Sequence, residues 1–192
     1  MEANKAIFID KDGTIIPDVP YNVNPALVEL SSHAAEGLKQ LFDEGFKIII
    51  ISNQSGVARG FFEISALNAI EQRLKEILAE IGVPLSGFYF CPHHPEGIIK
   101  PYNISCSCRK PDNGLILQAA KEHNIDLNSS WMIGDILNDV EAGCTAGCKT
   151  VLINNGNETE WMVNENRKAT MIVSSINEAA LGILNAAAAP NN

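Results

Sequence analysis

The sequence predicts an α/β protein built on a doubly wound parallel sheet, three layers deep (α/β/α), and folded as one domain. Three observations lead there. Short runs that are apolar at nearly every position, Ile7–Ile9, Phe46–Ile51 and Trp131–Gly134 among them, recur along the 192 residues. Such runs belong in a sheet covered on both faces. Between them, apolar residues repeat at three- and four-residue steps, the helical period. Strands alternating with helices in this way call for parallel pairing with crossover connections. No internal repeat and no linker interrupts the pattern, so residues 1–185 are assigned to one domain. The low-complexity tail, 186–192, is expected to fray.

Taken in order, the first strand runs into Asp10-Lys11-Asp12-Gly13-Thr14. Burying two carboxylates is costly unless they leave the core or meet a cation. The carboxyl edge of a parallel sheet, where open α/β folds hold their ligands, allows both. A strand-like path would point Asp10 and Asp12 the same way, and Gly13 permits a sharp exit. Residues 15–31, with Pro17, Pro20 and Pro25, read as a loop. A helix follows over about Ser32–Glu44, with Leu38 and Leu41 on its apolar face and Gly45 as its stop. Phe46–Ile51 is the second strand and ends in Ser52-Asn53-Gln54-Ser55-Gly56. A long amphipathic helix carrying Leu67, Ile70, Leu74, Ile77 and Leu78 then extends to about Ile81. The third strand, near Phe88–Phe90, leads into Cys91-Pro92-His93-His94 and an irregular loop to Cys108. Arg109-Lys110-Pro111 precedes a helix over about Asn113–His123. The fourth strand ends in Asp135, a helix covers Asn138–Ala146, and Thr150–Ile153 and Met171–Val173 are the fifth and sixth strands.

A net charge of -9 argues against a general nucleic-acid or membrane-surface binder, both of which need a basic face. An anionic substrate would be held by a local cation. No apolar run approaches the length of a membrane span, and the amino terminus carries no charged-then-apolar leader. A cytoplasmic monomer acting on a small molecule is expected. In that compartment the five cysteines fit metal ligands or buried thiols better than disulfides. Cys91-x-His93 and Cys106-x-Cys108 offer three thiolates and an imidazole, a closed set suited to structural Zn²⁺. Cys144 and Cys148 read as buried thiols.

Asp10/Asp12, Ser52/Asn53 and Asp135/Asp139 all follow strands, and Lys110 follows the loop after the third. Each has an ordinary reading as a cap, a turn or a surface charge, but in a doubly wound sheet the four clusters share one edge. The order DxDGT, Ser-Asn, Lys, GDxxxD resembles the phosphatases of the haloacid dehalogenase (HAD) superfamily, which implies a Rossmann-like fold. By that resemblance Asp10 is the nucleophile and Asp12 the general acid and base. Mg²⁺ would sit on Asp10, Asp12 and Asp135, with Asp139 behind it, while Ser52, Asn53 and Lys110 stabilise the phosphoryl group. The intervals before and after the second strand leave no room for a large cap.

Within the superfamily, Ser52–Gly60, Cys91–Gly97 and Cys106–Pro111 look like the D-glycero-D-manno-heptose 1,7-bisphosphate 7-phosphatase family, which supplies heptose for surface polysaccharide. That likeness implies His93 as the zinc ligand in preference to His94. It also implies substrate contacts from Asp18, Tyr21, Gln54, Ser55, Arg109 and, more remotely, Arg59. Ile136 and Leu137 depart from the family, whose members can carry a polar or basic residue there. Histidinol-phosphate phosphatase shares the catalytic set and is the nearest rival. A phosphatase of nucleic-acid ends sits poorly with the acidic charge, and a zinc-stabilised binding module without catalysis would not need all four clusters.

Overall fold

The computed structural model describes residues 3–188. Six strands, β1 (Lys5–Ile9), β2 (Phe46–Asn53), β3 (Leu85–Cys91), β4 (Trp131–Gly134), β5 (Lys149–Ile153) and β6 (Met171–Val173), form one sheet in the order β3-β2-β1-β4-β5-β6. Every pairing is parallel. The helices are α1 (Ala34–Asp43), the short α2 (Gly56–Arg59), α3 (Ala66–Glu80), α4 (Gly114–His123), α5 (Leu137–Ala146) and α6 (Ile176–Ala188).

The two-residue side-chain period of the strands sorts the core into layers. Ile7, Ile9, Ile48, Ile50, Trp131 and Ile133 face one side, against Leu38 and Leu41 of α1, Ile70 and Leu74 of α3, and Ala179 and Ile183 of α6. Ala6, Phe8, Ile49, Ile51 and Met132 face the other, against Leu115, Ile116 and Ala119 of α4 and Ala142 and Ala146 of α5. Each isoleucine of β1 and β2 is fully buried, and each such burial is worth about 1.5–3 kcal/mol. The expected α/β/α sandwich is therefore present, with β1 at its centre. β1 pairs with β2 on one flank and β4 on the other. The connections diverge there, so the crevice between the β1 and β4 ends is the switch point of the fold.

Three segments differ from the expectation. The helix predicted to run unbroken from Gly56 is divided: Gly60 takes a left-handed φ of 75° and Phe61 N–H bonds back to Gly56 O at 2.9 Å, closing α2. The chain restarts as α3 five residues later. The second difference is α6, which the sequence pattern did not predict. Ile176, Ala179, Ala180 and Ile183 bury a helical stripe against α1, where a side chain at Gly37 would meet the Ile176 carbonyl at 2.8 Å. Residues 186–188 of the expected tail continue this helix, and 189–192 lie outside the described residues. Third, β1 stops at Ile9 and gives way to a tight turn. Ile15 and Ile16 donate back to the Asp10 and Lys11 carbonyls at 3.3 and 3.1 Å, with Gly13 at φ 80°. No helix of the described residues is long and apolar enough to cross a membrane.

Candidate active site

The turn after β1 puts Asp10 and Asp12 into one cavity. About 220 Å³ of space is lined by Asp10, Asp12, Asp18, Asn53, Lys110, Asp135, Ile136 and Asn157. The two acids therefore do converge, through a turn that doubles back and not through strand alternation. Gly13 is required at the bend: a Cβ there would lie 2.2 Å from Asp135 Oδ2.

Lys110 arrives from the far side, at the end of the 92–110 loop. It is 3% exposed, and its ammonium meets Asp10 Oδ1, Asp139 Oδ1 at 2.6 Å and the Ile51 carbonyl at 3.0 Å. The carboxylates beside it push its pKa upward against the opposing effect of burial, so it is a fixed cation. Asn53, at the end of β2, determines where Lys110 sits. Its Nδ2 donates to the Lys110 carbonyl and its Oδ1 accepts the Lys110 N–H, both at 3.0 Å. Expected to face the phosphoryl group, Asn53 is thus also a two-point clamp on the lysine main chain.

Ser52 is 1% exposed and its Oγ accepts from Gln54 Nε2 at 2.8 Å; the same nitrogen reaches Asp12 Oδ2 at 3.0 Å. The other Asp12 oxygen meets the ammonium of Lys11, itself 1% exposed. Asp135 is held from two sides, by Thr14 Oγ1 at 3.1 Å and by Asn157 Nδ2 at 2.7 Å. Asn155 Nδ2 ties the same turn down through the Gly13 carbonyl at 2.7 Å. Lys11, Asn155 and Asn157 are not singled out by the sequence motifs, and Thr14 stands in the DxDGT motif without an assigned role. Asn154-Asn155-Gly156-Asn157 is nevertheless a polar cluster at the end of β5, on the edge that pointed to the others.

The carboxylates of Asp10, Asp135 and Asp139 have oxygens within 4.8 Å of one another. Burial, Asp139 and Asp135 push the Asp10 carboxyl well above its usual range, with Lys110 opposing them. Burial and Asp139 raise Asp135 to about 6. A cluster that resists its own ionisation gains from a cation, and an all-oxygen donor set suits a hard one. Asp139 stands in this group and at the same time grips Lys110 and accepts the Ile136 N–H at 3.3 Å. Gly134 makes room for it: a Cβ at that position would lie 2.2–2.3 Å from Asp139 side-chain atoms.

A second donor group forms at the end of β3. The sulfurs of Cys91, Cys106 and Cys108 lie 3.1–3.5 Å apart, and His93 Nδ1 is 3.6 and 3.3 Å from those of Cys91 and Cys108. Three sulfurs and one nitrogen gathered within 4.8 Å are compatible with a tetrahedral zinc site. His94 is outside the group. Its Nε2 lies 3.1 Å from Arg59 Nη2, and burial with the charges of Arg109 and Arg59 lowers its pKa. Arg109 lines a groove of about 230 Å³ with His94, Pro95 and Lys110, and its buried Nη1 has no hydrogen-bond partner among the described residues. Asp18, Tyr21, Gln54 and Ser55 instead line a separate cavity of about 260 Å³ with Asp12, Asn53 and Gly56. Asp18, Tyr21, Gln54 and Ser55 thus share one space and Arg109 lines another, and Arg59 lines neither.

Similarity to known proteins decides between the readings. Residues 107–179 match the HAD-hydrolase-like family. The chain is 42% identical over 153 residues to a D-glycero-beta-D-manno-heptose-1,7-bisphosphate 7-phosphatase of Pasteurella multocida, covering 79% of this chain and 83% of that one. The chain belongs to the heptose 1,7-bisphosphate 7-phosphatase family. A HAD-like phosphatase from Mesorhizobium loti superposes with a TM-score of 0.83 at 30% identity, over 99% of this chain and 90% of the other. A D,D-heptose 1,7-bisphosphate phosphatase of B. bronchiseptica, complexed with magnesium and phosphate, gives 0.76 at 26% identity over 95% and 99%. Membership of this family accords with the DxDGT turn, the buried lysine and a sheet that carries no large cap among the described residues.

Proposed function

We propose that this chain is a Mg²⁺-dependent phosphomonoester hydrolase that removes the 7-phosphate of D-glycero-D-manno-heptose 1,7-bisphosphate in the cytoplasm, working as a monomer. The observation that carries the reading is Lys110, buried beside Asp10 at the carboxyl edge of the sheet. A carboxylate held against a permanent cation in a cavity is a nucleophile with an anion-binding group beside it.

In the first step an Asp10 oxygen attacks phosphorus, an aspartyl phosphate forms and the bond from phosphorus to O7 breaks. Asp12 delivers a proton to O7 as it leaves. In the second step Asp12 takes a proton from water, whose oxygen attacks the phosphorus, releasing Asp10 and inorganic phosphate. Lys110, Ser52 and the free amide proton of Asn53 hold the equatorial oxygens throughout. Mg²⁺ held by Asp10, Asp135 and the Asp12 carbonyl would neutralise charge building on the phosphoryl oxygens. Zn²⁺ held by Cys91, His93, Cys106 and Cys108 would fix the loop that carries Arg109 and Lys110.

Arg109 and Arg59, gathered at His94, favour a substrate with a second anionic group over one bearing an amine. The test compares kcat/KM for both anomers of heptose 1,7-bisphosphate with fructose 1,6-bisphosphate and histidinol phosphate. Heptose bisphosphate is expected to lead. A tenfold preference for histidinol phosphate, about 1.4 kcal/mol of transition-state binding, would reverse the assignment. Asp10→Asn is expected to abolish turnover with the circular dichroism spectrum intact, and more than a few per cent residual activity would refute its role.

A further inference from the structure

Two aromatic rings stand exposed beside the larger cavity. Tyr21 is 48% and Phe61 59% exposed, yet they pack on each other edge to face, with centroids 4.5 Å apart at 75°. They come from segments that the chain order keeps apart, the 15–31 loop and the turn closing α2. Both segments hold their ring in place by unusual backbone. Tyr21 has a left-handed φ of 55°, a conformation disfavoured for a bulky side chain. Phe61 is set by the Gly60 turn and the Phe61 N–H bond to Gly56, while its neighbour Phe62 packs so closely on Gly56 that a Cβ there would meet the ring at 2.2 Å. The two adjacent phenylalanines therefore have separate tasks. Phe62 seats the turn, and Phe61 projects to Tyr21.

Tyr21 lines the 260 Å³ cavity that opens beside Asp12. Phe61 does not line it and meets it through the Tyr21 ring. We infer that Phe61 is a positioning residue that selects the leaving group: it holds the Tyr21 ring as a wall, so that the enzyme favours phosphate esters whose polyol chain is long enough to lie against that ring. This inference rests on the proposed hydrolysis and adds to it a determinant of substrate size. An aromatic wall offers apolar contact to the C–H face of a sugar, while Asp18, Asn22 and Gln54 around it offer hydrogen bonds to its hydroxyls. A short ester such as glycerol 3-phosphate uses the Asp10–Lys110 end and gains nothing from the wall.

The experiment is a double-mutant cycle on the full chain with Phe61→Ala, Tyr21→Ala and the pair, measuring kcat and KM for heptose 1,7-bisphosphate and glycerol 3-phosphate. The reading predicts that Phe61→Ala lowers the ratio of the two kcat/KM values about tenfold, ~1.4 kcal/mol, at the upper end of what one edge-to-face pair supplies. The loss is expected in KM for the heptose, with kcat changed less than twofold. Adding Phe61→Ala to Tyr21→Ala should cost nothing further, and Phe61→Trp should restore most of the ratio. An unchanged ratio in Phe61→Ala, or losses that add fully in the pair, would overturn the inference while leaving the hydrolysis standing. A wild-type enzyme that does not prefer the heptose to glycerol 3-phosphate would instead overturn the proposed substrate, and the wall with it.

Discussion

Replacing Asn53 by alanine separates two roles for one side chain. Its amide makes two 3.0 Å hydrogen bonds to the Lys110 main chain, one in each direction. Alanine leaves that N–H and that carbonyl without these partners in a partly buried setting, at about 1–3 kcal/mol for each group left unpaired. Water replaces part of this, so a total of about 2–3 kcal/mol is expected, or a Tm lower by about 4–12 °C for a chain of this size. The catalytic consequence exceeds the stability loss, because Lys110 Nζ must stay between Asp10, Asp139 and the Ile51 carbonyl. A displacement of about 1 Å at a catalytic group costs on the order of 10² in rate. Asn53→Ala should therefore lose about 10² in kcat with KM changed less than threefold, measured by phosphate release beside thermal unfolding. If Asn53 served mainly to bind the sugar, KM would rise while Tm and kcat stayed near wild type. That outcome would refute the clamp.

The raised Asp135 carboxyl makes the magnesium-free protein sensitive to acid in an unusual direction. The gap between 3.8 and about 6 corresponds to about 3 kcal/mol. Because the folded value is the higher one, this stability is present below pH 3.8 and lost as pH rises through 6. Denaturant midpoints in chelator should thus show Asp135→Asn gaining on wild type by about that amount between pH 4 and 7, and a gap that stays flat would contradict it. Apparent Mg²⁺ affinity by calorimetry should fall by at least about tenfold per pH unit below 6, since Asp10 and Asp135 must each give up a proton held there. Metal analysis should find one zinc per chain, and Cys106→Ser should lose zinc and most of its activity together. Full activity without zinc would break the link between that loop and Lys110. Inorganic phosphate should bind measurably with Mg²⁺ present and far more weakly in EDTA.

Much of the site was legible because strand ends are local facts. An apolar run that stops in Asp10 or Asp135 announces the carboxyl edge, and a doubly wound sheet brings such edges together whatever the loops do. What a side chain does after arriving is set by turns and neighbours that no spacing records. The convergence of Asp10 and Asp12 depends on a reversal centred on Gly13, and Asn53 on a loop 57 residues away. Lys11 looks like a surface charge in the sequence and is buried against Asp12. α6 escaped for a different reason. Its alanines resemble a featureless tail, although Ile176, Ala179, Ala180 and Ile183 keep helical spacing and Ser175 with Glu178 caps the start. The break at Gly60 was equally visible as a glycine, but its consequence, an exposed Phe61 meeting Tyr21, required the tertiary fold.

Charge explains why these parts belong together. Three buried carboxylates face one buried ammonium, so full ionisation leaves two negative charges in a space with little water. Burial first, and the neighbouring carboxylates after it, raise the Asp10 and Asp135 carboxyls, and protonation then relieves part of that charge. A protonated Asp10 is a poor nucleophile, and an ionised cluster repels a phosphate dianion. A divalent cation held by Asp10 and Asp135 would bring the count to zero, favour ionised Asp10 and lessen the repulsion. Lys110 alone cannot do this, since its ammonium is divided between Asp10 and Asp139. Without the divalent cation the ionised pocket is net negative, so a phosphate ester is expected to bind after the cation and not before it.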